Sequence, residues 1–269
     1  MTDIAITGAA GRVGREIVDA FPADEHDLTL FSHHEAPGLE TTLLEITDRE
    51  QFVDALAGQD VLIHLAANPS PWAAWDELRG PNIDGLSNAF EAAVKNDLER
   101  MVFASSNHAV NMDNTVTATR PESTIDEPKI VRPDESGDPD TYYGVTKVFG
   151  EAMGSYYAKR YGLTVVLLRI GWLLTRDELR QECRERDAAG ERFARAMWLS
   201  PGDCRRLLNA AATASLETSP LVAHGISNNS QRFLSLAETM HALAYRPEDD
   251  AEAVLSDDSA GRNGLESPD

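Results

Sequence analysis

Tyr143 and Lys147 stand four apart in Tyr143-Gly144-Val145-Thr146-Lys147, so a helix starting there carries both side chains on one face. A phenol with a pKa of about 10 is a poor base at neutral pH unless a nearby cation stabilises its phenolate. Lys147 is such a cation, and an oxidised nicotinamide ring would be another. The phenolate could then take the proton of an alcohol as that alcohol is oxidised. Such a pair is common and acquires meaning only from company. Glycines 8, 11 and 14 lie in Gly8-Ala9-Ala10-Gly11-Arg12-Val13-Gly14, between an apolar strand, Ile4–Thr7, and a segment of helical spacing, Arg15–Phe21. The first glycine permits a tight turn, the second lets backbone N–H groups approach a pyrophosphate, and the third packs helix on strand. The start of the helix offers unpaired donors and a positive dipole end to the anion. Ser105-Ser106, ending a further strand-like segment, places hydroxyls near the same end of a sheet.

Short apolar strands alternating with helical segments are what would hold these residues together. After Ile4–Thr7 come Leu28–Phe31, Thr41–Leu44, Asp60–Leu65, Met101–Ala104, Thr164–Leu168 and Ser219–Gly225. Between them lie Gln51–Leu56, Asn82–Lys95, Tyr142–Tyr161, Asp177–Arg186, Glu191–Trp198, Cys204–Thr213 and Leu236–Ala244, all of helical character. The alternation predicts a Rossmann-type α/β fold: a doubly wound parallel sheet with a small C-terminal substrate-binding lobe. Residues 1–170 read as the dinucleotide-binding part, 171–246 as the lobe, and 247–269 as an acidic, mobile tail. The proline-rich stretch from Asn107 to Thr141 reads as a functional or disordered loop.

The chain has 269 residues, with 45 acidic residues against 24 Lys+Arg and a formal charge of −21. A surface this negative argues against nucleic acid as a partner. The longest apolar run, Val165–Leu174, is broken by Arg169 and is too short to span a membrane. No basic leader precedes the first strand, and two cysteines, Cys183 and Cys204, are too few for a disulfide framework. The expectation is a cytoplasmic protein without metal or membrane. The only lysines are Lys95, Lys129, Lys147 and Lys159, and the acidic residues are dispersed. That pattern suits a halophilic protein kept soluble at high salt.

Cofactor choice stays open between NAD and NADP. An NAD site favours an acidic residue at the end of the second strand, some 20 residues past the loop. Here Phe31-Ser32-His33-His34 occupies that place, and the nearest acid is Glu35. Ser32 could bond a plain ribose, or Arg12, His33 or His34 could meet a 2′-phosphate.

Taken together, Thr7–Gly14, His64-Leu65-Ala66-Ala67, Phe103-Ala104-Ser105-Ser106 and Tyr143…Lys147 resemble the extended short-chain dehydrogenase/reductase family, the NAD-dependent epimerase/dehydratase group. Ser105-Ser106-Asn107-His108 with Leu168-Arg169-Ile170-Gly171 is similar to its uronate dehydrogenase branch. Within that branch, Val145–Tyr161 and Ala194–Pro201 are most similar to the NAD-dependent glucose-6-phosphate dehydrogenases of halophilic archaea. The resemblance covers residues 3–245. It implies Tyr143 as the base, Lys147 as its partner and Ser106 as the hydroxyl that positions the substrate oxygen. It implies Asn107 and His108 as sugar contacts, and a cofactor wall of Gly8, Ala10, Gly11, Arg12, Val13, Gly14, Ser32, Glu45, Ile46, Leu65, Ala66, Ala67 and Ile170, with Tyr143 and Lys147. Asp48 lies near the expected adenine pocket. The branch's carboxylate-binding arginine aligns at Arg192. Two departures stand out: Trp172 replaces a serine, and extra residues between Trp172 and Glu191 carry Arg176, Arg180, Arg184 and Arg186.

The resulting expectation is an NAD(P)-dependent dehydrogenase that oxidises the anomeric hydroxyl of an aldose phosphate, glucose 6-phosphate, to its lactone. The alternatives are a uronate dehydrogenase, a sugar-nucleotide epimerase or dehydratase, and a non-enzymatic dinucleotide sensor. The family often dimerises through the helix of Tyr143, where Gly154, Tyr157, Ala158 and Tyr161 suit close packing, so a homo-oligomer is expected.

Overall fold

The computed structural model describes residues 1–262 in backbone and 1–256 in side chain. Seven strands form one parallel sheet: β1 (Thr2–Thr7), β2 (His26–Ser32), β3 (Thr42–Leu43), β4 (Val61–His64), β5 (Arg100–Ser106), β6 (Thr164–Ile170) and, later in the chain, β9 (Leu221–Gly225). Their order across the sheet is β3-β2-β1-β4-β5-β6-β9, and every pairing is parallel. The order reverses between β1 and β4, and a crevice opens there beyond the carboxyl ends of the strands.

Strand alternation explains why both faces are covered. Ile4, Ile6, Val61, Ile63, Val102, Val166 and Leu168 point to one apolar layer. Ala5, Leu62, Met101, Phe103, Val165 and Leu167 point to the other. The first layer is closed by α1 (Arg12–Ile17) and α8 (Pro201–Thr213). The second is closed by α2 (Arg49–Ala55), α4 (Leu86–Lys95) and α5 (Tyr142–Tyr161). Thr141 caps α5 by accepting from the Gly144 amide, and Gly162 ends it in the left-handed conformation, φ 75°.

Between α3 (Trp75–Leu78) and α4, residues Arg79–Gly85 form a π-helical segment. There the sequence reading placed only the start of an ordinary helix. The widened turn carries Asn82, which accepts from the Asn68 amide at 2.7 Å and donates to Thr146 Oγ1 at 3.1 Å. One side chain thereby ties the loop after β4 to α5.

Beyond β6, a two-stranded parallel ribbon pairs β7 (Trp172–Leu173) with β8 (Trp198–Leu199). The ribbon brackets α6 (Arg176–Glu185) and α7 (Ala188–Met197). Two helices follow β9, α9 (Ala237–Leu243) and α10 (Ala251–Arg262). The expected mobile tail is thus corrected over its described part. Ala251 and Val254 are buried against Leu174, Leu179 and Trp198, and the amides of Glu248 and Asp249 donate to the buried Asp203 carboxylate. An acidic composition hid this because two apolar residues a helical turn apart suffice to dock one face. Residues 263–269 of that expectation lie outside the described residues.

The loop 107–141 is likewise packed, with short 3₁₀ turns at Asn107–Ala109 and Met112–Asn114 and a parallel bridge from Val131 to Leu234. Among the described residues, no helix is long and apolar enough to cross a membrane.

Candidate active site

The crevice at the β1/β4 switch point is a cleft of about 660 Å³. Gly8, Ala10, Gly11, Arg12, Val13, Gly14, Ser32, Glu45, Ile46, Leu65, Ala66 and Ala67 all line it, with Thr47, Asn68, Pro69 and Pro81 from outside the sequence reading. The loop fits a dinucleotide in its own packing. Gly8 has φ +73°, and a Cβ there would stand 2.7 Å from the Ala66 amide nitrogen. A Cβ on Gly14 would stand 2.4 Å from the Gly8 carbonyl oxygen. Gly11 is the N-cap of α1 and offers no side-chain cap, which leaves the first-turn amides to an incoming anion.

Two of these residues also have partners within the protein. The Ser32 hydroxyl is buried, donates to the His34 carbonyl at 2.8 Å and lies 2.7 Å from Thr41 Oγ1. It therefore fixes the turn after β2 at the edge of the cleft. Arg12 reaches across the loop to the Leu173 carbonyl at 2.7 Å and pairs with Glu178, the capping-box residue of α6. Glu178 is held down to a pKa of about 2, first by Arg12 and then by the Thr175 amide. Of the expected 2′-phosphate contacts, His33 is exposed and lies 3.4 Å from Glu45, and His34 lines the cleft. Glu45 accepts from the amide and hydroxyl of Thr47, and those bonds lower its pKa. Asp48 caps α2 by accepting from the Gln51 amide.

Further along the sheet, β5 and the first turns of α5 bring the chemical groups together. Tyr143 is 9% exposed and Lys147 4%. Lys147 Nζ lies 5.2 Å from the centre of the Tyr143 ring and 4.9 Å from that of Phe103, and donates to the Ala104 carbonyl at 2.7 Å. Burial pushes the Tyr143 phenol up to about 12, while the Ser106 hydroxyl works in the opposite direction. Burial also pulls Lys147 down to about 7, opposed by the Glu151 carboxylate one turn on. Glu151 is gripped by Arg169 at 2.8 Å and by the Ser105 hydroxyl at 2.6 Å, and Arg169 continues to the carbonyls of Pro133 and Glu135. Ser106 accepts from the His108 amide at 3.2 Å and pairs in register with Ile170, so Ile170 flanks the same strand end.

Asn107 and His108 sit in the 3₁₀ turn directly after β5. Asn107 Nδ2 is buried without a partner in the protein. His108 meets the Tyr143 ring edge-on, with centres 5.9 Å apart, and packs against Phe193 at 6.3 Å. The row of rings continues from Phe193 to Trp172 at 5.8 Å, and the Arg186 guanidinium covers Trp172 at 4.6 Å. Trp172, the residue that departs from the serine of the resembling branch, therefore builds an apolar wall.

Arg192 and three arginines of the extra segment have partners within the protein. Arg192 donates to the Thr124 carbonyl at 3.0 Å and pairs with Asp126 at 2.7 Å. Arg186 pairs with Glu122 and Glu182, Arg180 with Asp177, and Arg176 with Asp249. Sequence reasoning missed Asp140, whose carboxylate holds His108; its place just before the Thr141 helix cap was the available signal. Asn82 was missed because a widened turn leaves no trace in periodicity. Of the expected dimer residues, Gly154 packs on Leu167 and Val165, and Tyr157 and Ala158 are buried, whereas Tyr161 is exposed.

Comparison with known proteins places this geometry among relatives. The NAD dependent epimerase/dehydratase family matches residues 4–189. The chain is 49% identical over 255 residues to an L-arabinose 1-dehydrogenase (NAD(P)(+)) of Haloferax volcanii, spanning 95% of this chain and all of that one. It is 33% identical to an NAD-dependent glucose-6-phosphate dehydrogenase of the same organism, over 92% of this chain and 94% of that one. Its fold matches that of a uronate dehydrogenase variant from Agrobacterium tumefaciens complexed with NAD, at TM-score 0.73 and 25% identity, covering 100% of this chain and 92% of the other.

Proposed function

Since the chain belongs to the NAD dependent epimerase/dehydratase family, we propose that this nicotinamide-dependent oxidoreductase oxidises the anomeric hydroxyl of a free, uncharged aldose to its lactone, with NAD or NADP. The observation that carries this reading is the engagement of Arg192 by Thr124 and Asp126, with Arg176, Arg180 and Arg186 also ion-paired. A phosphate or carboxylate would have to break such a pair to gain an arginine fork. The apolar Trp172–Phe193 wall beside His108 suits the carbon face of a neutral sugar. The relative named for L-arabinose supports a pentose, and its printed name, NAD(P)(+), supports either cofactor. No acidic side chain stands at Ser32 to repel a 2′-phosphate.

Gly8–Gly14, Glu45, Ile46 and Leu65–Ala67 would hold the dinucleotide, with Tyr143, Lys147 and Ile170 at its reacting end. When bound, it supplies the two-electron acceptor of the oxidation. Ser106 positions the substrate oxygen, and Tyr143 Oη takes its proton. A cation near the phenol is essential because burial holds the phenol protonated. Lys147 is that cation, and Glu151, itself clamped by Arg169, opposes the burial that favours its discharge. Water then opens the lactone without help from the protein.

The test measures reduced nicotinamide in molar salt, offering L-arabinose, other free aldoses, glucose 6-phosphate, glucuronate and galacturonate, each with NAD and NADP. Turnover of neutral aldoses is expected, and Tyr143→Phe should lower kcat by about 10²–10⁴ with cofactor binding intact. Turnover confined to glucose 6-phosphate, or to uronates, would replace the neutral-aldose reading with that one.

A further inference from the structure

Arg12 lines the cleft that fits a dinucleotide, yet its guanidinium is already taken. Nη1 donates to the Leu173 carbonyl at 2.7 Å and to Glu178 Oε2 at 3.0 Å, and Nη2 pairs with Glu178 Oε1. The fork is closed on one carboxylate, in the two-pronged geometry with which arginine also binds a phosphate. Among the described residues, Glu178 is the only carboxylate paired with Arg12. Neither Glu178 nor Leu173 lines the cleft, so the pair ties the arginine of the cleft to residues at its rim.

Glu178 does not depend on Arg12 for its place. Its Oε2 also accepts from the Thr175 amide at 2.8 Å and the Thr175 hydroxyl at 2.9 Å, which closes the capping box of α6. The helix behind it is seated by Leu179, fully buried in the layer of Trp198 and Val254, and by Arg176 on Asp249. The Arg12 and Glu178 side chains are 53% and 38% exposed, and an ion pair so open to water is weak enough to be exchanged. Arg12 can thus change partner while Thr175 keeps the carboxylate fixed and ionised.

We propose that Glu178 is a release residue for the dinucleotide: it competes with the diphosphate for Arg12, so that the ion pair opens as the cofactor enters and re-forms as it leaves. Charge gives the direction of the effect. When Arg12 turns to phosphate oxygens, Glu178 is left as an uncompensated negative charge close to another anion. Glu178 therefore weakens binding and, by taking Arg12 back, speeds departure. Release of the reduced cofactor ends each turnover, and such steps set many kcat values. The competitor comes from the extra segment between Trp172 and Glu191 and meets the glycine loop across 166 residues of chain. This rests on the nicotinamide reading of the cleft and not on the identity of the sugar.

The experiment titrates NADH and NADPH against the full-length protein in molar KCl. Nicotinamide fluorescence reads the affinity at equilibrium, and stopped-flow displacement by the oxidised form reads the release rate of the tighter binder. Glu178→Gln gives up the charge but keeps the capping box, since glutamine serves at that helix position. E178Q is expected to bind the reduced dinucleotide about threefold to fivefold tighter, mostly through slower release. In an Arg12→Gln background most of that gain should vanish, because the two side chains act through one contact. Glu178→Asp draws the charge back by one methylene and should lie between, and it decides the matter should E178Q not fold. Binding by E178Q no tighter than that of the unaltered protein, or a gain undiminished in the Arg12→Gln background, overturns the proposal and leaves the oxidoreductase reading standing. Failure of the unaltered protein to bind either dinucleotide overturns that reading of the cleft, and this assignment with it.

Discussion

At the scale of single residues, the site works against itself. Burial raises the Tyr143 phenol to about 12 and lowers Lys147 to about 7, and both shifts disfavour the charged pair that the proposed proton abstraction needs. The geometry compensates by placing Nζ near the ring and a carboxylate a turn away. Lys147 also leaves a signature in stability. Its folded pKa lies below the ordinary 10.5, so between about pH 7 and 10.5 the unfolded chain binds more protons than the folded one. Stability attributable to this residue therefore rises with pH through that window, and below it the penalty of a buried ammonium is fully felt. Replacing Lys147 with Met should remove that rise. Denaturant unfolding of both forms from pH 7 to 10 checks this, and parallel stability curves would refute it.

At the scale of elements, the segment from Trp172 onwards is tied to the glycine-loop end of the sheet. The Arg12–Glu178 pair fastens α6 to the glycine loop, and Trp198, fully buried, donates from its indole to the Leu174 carbonyl at 2.8 Å. Helix α10 completes that layer through Ala251 and Val254. Val254→Asp would place a carboxylate in an apolar pocket and should destabilise the protein by about 2–4 kcal/mol, whereas Ala253→Asp on the exposed side should be near neutral. Thermal unfolding separates them. Equal, small effects from both would mean that α10 is not docked. The helix carrying Tyr143 also leaves Tyr142, Val145, Tyr156 and Tyr161 exposed.

At the scale of the molecule, charge is the dominant property. Arginines are repeatedly paired with nearby carboxylates, yet a net −21 remains and repels itself at low ionic strength. Raising salt shortens the screening length from about 10 Å at 0.1 M to about 3 Å at 1 M. The melting temperature should therefore climb by roughly 5–10 °C between dilute buffer and molar KCl. A melting temperature indifferent to salt would remove the halophilic reading.

Much of this was legible in the residues themselves. Short apolar strands alternating with helical segments, with glycines at 8, 11 and 14 between the first strand and helix, point to a parallel dinucleotide fold, and Tyr143 four before Lys147 puts both on one helix face, because these are local patterns. The direction of a long side chain is not local. Arg192 could serve a substrate anion or Asp126, Arg12 a phosphate or Glu178, and Ser32 a ribose or the His34 carbonyl. Each choice depends on which partner, tens of residues away, the packed sheet brings within 3 Å. His108 is the clearest case. Its place after β5 follows from the chain, but the partner of its Nδ1 is Asp140, 32 residues later, which comes within reach because Gly144 lets the two segments close.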